Sequence, residues 1–463
     1  MKDARTAPLV LINAVGLSPR LLEHAPRMKE LARQGWVRSL REVFPAVTST
    51  AQATILTGRT PQEHGIVANG WLFRDTKEVR FWQQSNALIQ APTIYDVLRQ
   101  DLAARGQSFS AAKLFWWFNQ GAGVDISITP KPHYGCDGNK VFGIASSPTE
   151  IAVDVERSLG PFPFATFWGP GAGAGCSAWI SRSAAWTLER FHPNLTLVYV
   201  PHLDYDPQRF GPAASRMARH VRELDDAVAP LLEAARQQGA RVWIISEYTH
   251  VDVDKPVYLQ RILRQEGYLD VRPGPFGEML DTFSSRAIAV CDHQWAHIYV
   301  RQSADIPAIV DRLRAVAEID RIYVGAARAE VGLDHSRSGE IVVAAKRNAW
   351  FAYPYWLEDT LAPDFASTVD IHRKPGFDPC EMFFDPKIRF PKWRVIRRLM
   401  AKKLGFRMRM DVIPLDASIV RGSHGLAAMS SEDRPLLIGD GPPPGVDLAM
   451  TDAFDLIRSA LTD

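Results

Sequence analysis

The chain has 463 residues, of which 46% are hydrophobic and 23% charged, a globular balance that excludes a disordered or collagen-like protein. Its length holds either several domains of about 100–200 residues or one enlarged α/β core with insertions. Lys plus Arg number 54 against 52 Asp plus Glu, a net charge of +2 that argues against bulk nucleic-acid binding, and Cys136, Cys176, Cys291 and Cys380 lie too far apart to suggest a disulfide framework or a cysteine zinc site.

The N-terminal MKDARTAPLVLINAV lacks the apolar core and small-residue cleavage site of a signal peptide, so the expected location is cytoplasmic. Within it PLVLINAVGL (8–17) has the pattern of a buried strand ended by glycine. Leu21, Leu22, Met28 and Leu31 predict a helix over 20–35 that stops at Gly35. VFPAVTSTAQATILTG then reads as a proline-bounded turn, a threonine cluster and a helix ending at Gly58. Strands are expected at 109–116, 195–200 and 240–246, the last two joined by a helix over 214–237. Strands alternating with helices imply a doubly wound, mostly parallel α/β sheet with its site beyond the C-terminal strand ends.

The stretch 159–181 is broken by prolines and glycines and makes a poor membrane helix. The later chain changes texture. Strand-like runs at 287–300, 321–325 and 340–345, with a helix over 306–318, predict a smaller inserted α+β cap. The expected division is a core at 1–260, a cap at 261–350 and a return to the core at 351–463. Lys387 to Arg409 holds ten basic residues and no acidic one, with Trp393, Ile396, Met400 and Leu404 at helical spacing. That pattern suits either peripheral membrane contact through 387–409 or a solvated helix packed on the core.

Several residues after the expected core strands carry chemistry. Asn13 and Val15 share a face of the first strand. Thr48 opens a helix, where free N–H groups and the dipole favour an anion; its oxygen either attacks a phosphoryl group or, with Ser49 and Thr50, caps the helix. Phe115, Trp116, Trp117, Phe118, Phe162, Phe164, Phe167, Trp168 and Trp179 are either an apolar lid over the organic part of a phosphorylated small molecule or core packing. DHQWAH (292–297) reads as packed surface bordering a cap strand.

VFPAVTSTAQATILTGRTPQEHGIVANGW, LVYVPHLDYDPQRFGP, VWIISEYTHV and VRGSHGLAAMSSEDRPLLIG together resemble, in order, the type I phosphodiesterase/nucleotide pyrophosphatase family of the alkaline phosphatase superfamily. The resemblance implies an alkaline-phosphatase-like core, a Thr48 nucleophile and two divalent metals, usually zinc. Matched residue by residue, Asp204 is a metal ligand and His424 the last metal histidine. The carboxylate expected at the end of the first strand is Val15, a ligand histidine is replaced by Gln208, and an Asp-His pair is replaced by Glu247-Tyr248. VDIHRKPGFDP also resembles a metal-histidine loop, so His372 competes with His424, and Asp370 and Asp378 are replacement donors. His202 and Asp206 either complete a site around Asp204 or fix their loop by hydrogen bonds.

The expected function is therefore phosphoester hydrolysis. Thr48 is the nucleophile, Asn13 a hydrogen-bond donor, and Glu247 a base or ligand. Asp204, His424, Glu247, His372 and Gln208 are the candidate metal ligands, holding one ion, two through replacement donors, or none. The rival reading is a metal-poor pseudoenzyme that binds a phosphorylated ligand or acts as a scaffold.

Overall fold

The PLVLINAVG segment forms β1 (Leu9–Ala14), and all its residues are buried, as helices on both faces of a parallel sheet require. The structure is a computed structural model that describes residues 7–136, 140–213, 215–406 and 408–462. The beginning of the N-terminal segment, the last residue of the third expected division and Arg407 of the basic stretch lie outside the described residues.

Eight more strands join β1. They are β2 (Trp36–Arg41), β3 (Ala111–Leu114), β4 (Ile126–Pro130), β5 (Ile144–Ser147), β6 (Leu195–Val200), β7 (Arg241–Ile245), β12 (Leu436–Gly439) and β13 (Leu448–Ala449). The intervening labels β8–β11 belong to the cap sheet, β8 (Ala287–Asp292), β9 (Trp295–Val300), β10 (Ile319–Val324) and β11 (Ile341–Ala345). The nine-stranded sheet runs β13-β2-β12-β7-β1-β6-β3-β4-β5. Its middle, β7-β1-β6-β3-β4, is parallel, while β12 and β5 pair antiparallel with their neighbours. The doubly wound, mostly parallel sheet expected from the sequence is the fold observed.

The helix expected over 20–35 is two helices, Pro19–Leu22 and Pro26–Gln34. Pro26 lacks an N–H and restricts Ala25 before it, so it ends the first helix and starts the second. The run 287–300, read as one strand, is a β8–β9 hairpin turning at His293, whose φ is 59°.

The antiparallel cap sheet runs β8-β9-β11-β10. Its apolar face packs on Trp71, Phe81, Trp117, Tyr353 and Phe377, which come from chain segments on either side of the cap. This shared core ties the smaller sheet to the segments that flank it in sequence. Helices α1 (Thr48–Thr57), α2 (Ala174–Phe191), α3 (His202–Phe210) and α4 (Met217–Gln237) belong to the core, and α5 (Pro391–Lys403) lies on the surface.

Candidate active site

The register of the sheet brings three loop starts together. Asn13 in β1 stands opposite Tyr199 in β6 and Ile245 in β7. Asp204, in the first turn of α3 just beyond β6, and Glu247, just beyond β7, therefore reach the same C-terminal edge. Thr48 is the first residue of α1, after Val47, whose own side chain makes no capping bond. Capping is thus not its role: Thr48 Oγ1 lies 2.8 Å from the Tyr248 hydroxyl. Asn69 instead satisfies a free helix N–H, accepting from Ser49 N at 2.9 Å.

Tyr248 links the threonine to the carboxylate. Its hydroxyl donates to Asp204 Oδ1 at 3.1 Å. The remaining lone pair of that hydroxyl can accept the Thr48 proton. Burial pushes the phenol well above its ordinary value, so it stays protonated. Its ring stacks flat on His424, with centroids 3.7 Å apart and planes 6° from parallel.

Two imidazoles flank Asp204. His250 Nε2 lies 3.1 Å and His424 Nε2 3.7 Å from Asp204 Oδ1. His424 Nδ1 donates to the Ala46 carbonyl at 2.7 Å, which leaves Nε2 with its lone pair, and that buried atom has no hydrogen-bond partner. Burial, followed by the neighbouring His293 and His250, pushes the His424 pKa well below its ordinary value. Gln208 lies one turn beyond Asp204 on α3, and both polar atoms of its buried amide are unpartnered.

The donor set fits one divalent ion. Ligand atoms of Asp204, His250 and His424 all lie within 4.8 Å of one another. Tetrahedral zinc with bonds of about 2.0–2.2 Å needs ligand–ligand edges of about 3.3–3.6 Å, close to the separations here. For a second ion beside it the chain offers fewer donors. Val15 offers no donor, and the Tyr248 phenol is protonated. Glu247 accepts from Asn13 Nδ2 and from Gln52 Nε2, the latter at 2.6 Å. Burial raises Glu247 from its ordinary 4.5 to about 8, which favours the neutral acid near pH 7.

Since the folded value exceeds the unfolded one, folding holds an extra proton between about pH 4.5 and 8, and stability falls as pH rises through that window. Thermal unfolding of wild type at pH 5.5 and pH 8.5 is expected to show this loss, and Glu247→Gln to reduce it.

Of the sequence candidates, Thr48, Asn13, Asp204, Glu247 and His424 converge, whereas His372 does not. It sits in a turn against the Phe81 carbonyl, outside the Asp204 cluster. Asp370 and Asp378 are also engaged elsewhere: Asp370 N–H donates to Glu381, and Asp378 pairs with Lys374. The replacement imidazole is His250, two residues past Tyr248, where an extended segment returns side chains to one face. Gln52 was findable too, because it lies one turn along α1 from Thr48.

Asp292 and His293, read as packed surface, belong here. Asp292 accepts from Asn69 N at 2.7 Å and from Asn69 Nδ2 at 3.1 Å, while His293 lies 3.7 Å from the His424 ring. Rings then continue outward from His293 to Phe377 (3.7 Å), to Trp82 and Trp168 (6.1 and 5.9 Å), and from Trp82 to Trp117 (4.9 Å). Trp117 N–H donates to Gln52 Oε1 at 2.7 Å. By contrast, Phe115, Phe162 and Trp179 fill the core and Phe164 and Phe167 pack against it. Trp82, Phe118 and His293 hold φ between 54° and 60°, a conformation non-glycine residues adopt at a cost of order 1–3 kcal/mol and one that collects at functional sites. Thr48 is only 4% exposed and Asp204 8%, so a ligand reaching the hydroxyl must displace neighbouring side chains.

The family model for type I phosphodiesterase/nucleotide pyrophosphatase matches residues 9–378. The chain belongs to that family. By membership it is a phosphoester hydrolase. Phosphonoacetate hydrolase from Sinorhizobium meliloti 1021, in complex with phosphonoformate, has a similar fold, with a TM-score of 0.61, 16% identity, and coverage of 99% of this chain and 96% of that one. Murine ectonucleotide pyrophosphatase/phosphodiesterase 5, an inactive variant in complex with AMP, gives a TM-score of 0.58 at 14% identity, covering 98% of this chain and 95% of its own. A search of curated protein sequences returns no match. These likenesses establish the alkaline-phosphatase-like fold; the departures at Val15, Gln208, Glu247 and Tyr248 are properties of this family member.

Proposed function

We propose that this family member hydrolyses an ester or phosphonate of a phosphorylated small molecule, with Thr48 as nucleophile and one divalent ion, zinc by donor chemistry. The observation that carries this reading is the Thr48 hydroxyl, hydrogen-bonded through Tyr248 to a carboxylate flanked by two imidazoles. Asp204, His250 and His424 would hold the ion, which supplies charge stabilisation to the phosphoryl oxygens when bound. The Thr48 hydroxyl can donate to the Tyr248 oxygen, whose own hydrogen is directed at Asp204, a chain that orients Thr48 Oγ1. Neutral Glu247, held by Asn13 and Gln52, can donate from its carboxyl group as charge develops. The rings from His293 to Trp117 support a substrate with an apolar or aromatic group beside its phosphoryl group.

The test is hydrolysis of bis(p-nitrophenyl) phosphate, p-nitrophenyl phosphate and phosphonoacetate after chelation and zinc or manganese replenishment. Metal-dependent turnover of any of the three supports the reading and identifies the bond cut. Absence of both turnover and bound metal supports the binding pseudoenzyme instead.

The three buried cysteines, all free thiols, support the cytoplasmic assignment, since reducing compartments keep thiols unpaired. Among the described residues no helix is long and apolar enough to cross a membrane. Surface attachment is a different matter, and α5 supports it. Arg394 and Arg398 pair with Asp411, and Val395 packs on the protein. That anchoring turns Trp393, Ile396, Met400 and Leu404 outward, 63%, 46%, 58% and 73% exposed, with Lys392, Arg397 and Lys403 beside them. Such a face matches an anionic membrane surface. Vesicles of phosphatidylserine and phosphatidylcholine are expected to retain the protein in flotation where pure phosphatidylcholine does not. Trp393→Ser with Met400→Ser should weaken that retention by about tenfold or more.

A further inference from the structure

Helix α3 carries a second pair of donors. His202 and Asp206 are four residues apart and share a face. They are rotated about 200° from Asp204, as two residues of α-helix dictate. That face meets α4, which brings up His220 and Glu223, three apart on one side. They therefore do not complete the Asp204 site, the role weighed for His202 and Asp206 from sequence.

His220 Nδ1 lies 3.0 Å from Asp206 Oδ2 and 3.1 Å from Glu223 Oε2, and His202 Nε2 lies 3.4 Å from the same Glu223 oxygen. Each carboxylate spends its other oxygen on an arginine: Arg209 donates to Asp206 Oδ1 at 3.0 Å, and Arg219 to Glu223 Oε1 at 2.8 Å. The oxygens facing the imidazoles are thereby oriented. Hydrogen bonding alone does not account for the set. One Nδ1–H serves one carboxylate oxygen well, and His202, 2% exposed, makes no hydrogen bond with either ring nitrogen. The ligand atoms of His202, His220 and Glu223 lie within 4.8 Å of one another, a spread that a tetrahedral zinc shell with edges of about 3.3 Å can draw together.

We infer that His202, His220 and Glu223, with Asp206 set against the His220 ring, form a second, structural site for a divalent cation of the zinc class, clamping α3 to α4. Two imidazoles and one carboxylate suit zinc better than magnesium or calcium, which prefer all-oxygen shells. The site is separate from the Asp204 cluster and stands whether or not the hydrolase reading does.

The experiment measures zinc by equilibrium dialysis and elemental analysis in the full chain. In an Asp204→Asn/His424→Ala background, which silences the other cluster, one zinc equivalent is expected to remain. Adding Glu223→Gln or His220→Asn should weaken it by at least about tenfold, with cobalt losing its tetrahedral visible absorption. If the background does not fold, the unmodified chain gives the same answer: Glu223→Gln must lose one zinc equivalent and part of the zinc-dependent rise in melting temperature. Circular dichroism in chelator checks that the variants keep the parent fold. No zinc in the folded background, or unchanged affinity in Glu223→Gln, overturns the site.

Discussion

Thr48→Ala is expected to lower kcat for whichever phosphoester the protein turns over by about a thousandfold or more, about 4 kcal/mol of transition-state stabilisation. The substitution removes the hydroxyl bonded to Tyr248 at the entrance of α1, while Tyr248 keeps its bond to Asp204. Stability should therefore fall by only about 1 kcal/mol, the worth of one neutral hydrogen bond. Zinc binding should persist, because the threonine is not among the donors at Asp204. Steady-state kinetics on the metal-replenished protein decide it. A residual rate within tenfold of wild type would remove Thr48 as the nucleophile and leave the metal reading standing.

The largest expected effect on stability lies elsewhere, at Lys374. Its ammonium, 1% exposed, sits 2.7 Å from both Asp378 Oδ2 and Glu381 Oε1. Burial opposes its charge, but the two carboxylates outweigh burial and hold its pKa above the ordinary value. Glu381 also accepts from Trp168 Nε1 at 2.6 Å, so this ion cluster positions one ring of the aromatic wall. Lys374→Met strands two carboxylates in the interior and is expected to cost about 3–5 kcal/mol in urea unfolding. Lys374→Met/Asp378→Asn/Glu381→Gln removes the stranded charges and should recover most of that loss. Failure of the triple variant to recover would mean that the lysine acts through packing and not through charge.

The central strands were legible because LVLIN, LTLVYV and RVWII are apolar runs bounded by turn residues, the signature of burial on both faces. The flanking strands Trp36–Arg41, Ile126–Pro130 and Ile144–Ser147 mix polar and apolar residues, and their pairing depends on neighbours distant in sequence. At the site, ordered motifs led to Thr48, Asp204, Glu247 and His424. Residue type alone gave no sign that Glu247 is completely buried, which raises its pKa to about 8. His250 escaped notice because only the tertiary path after β7 carries it to Asp204, and His293 because its partner His424 lies 131 positions later in the sequence. His372 shows the reverse failure: a favourable local string whose fold leads it elsewhere.

Val15 has a consequence for exchanges at this site. It is fully buried at the end of β1. An aspartate placed there alone would introduce an uncompensated interior charge, while Tyr248 still supplied a phenol and not an imidazole beside Thr48. Exchanging Tyr248 for histidine alone would break the link from Thr48 to Asp204 without supplying the missing carboxylate. Neither exchange alone places a carboxylate and an imidazole together beside Thr48, so the effects of the two are expected to be coupled and not additive.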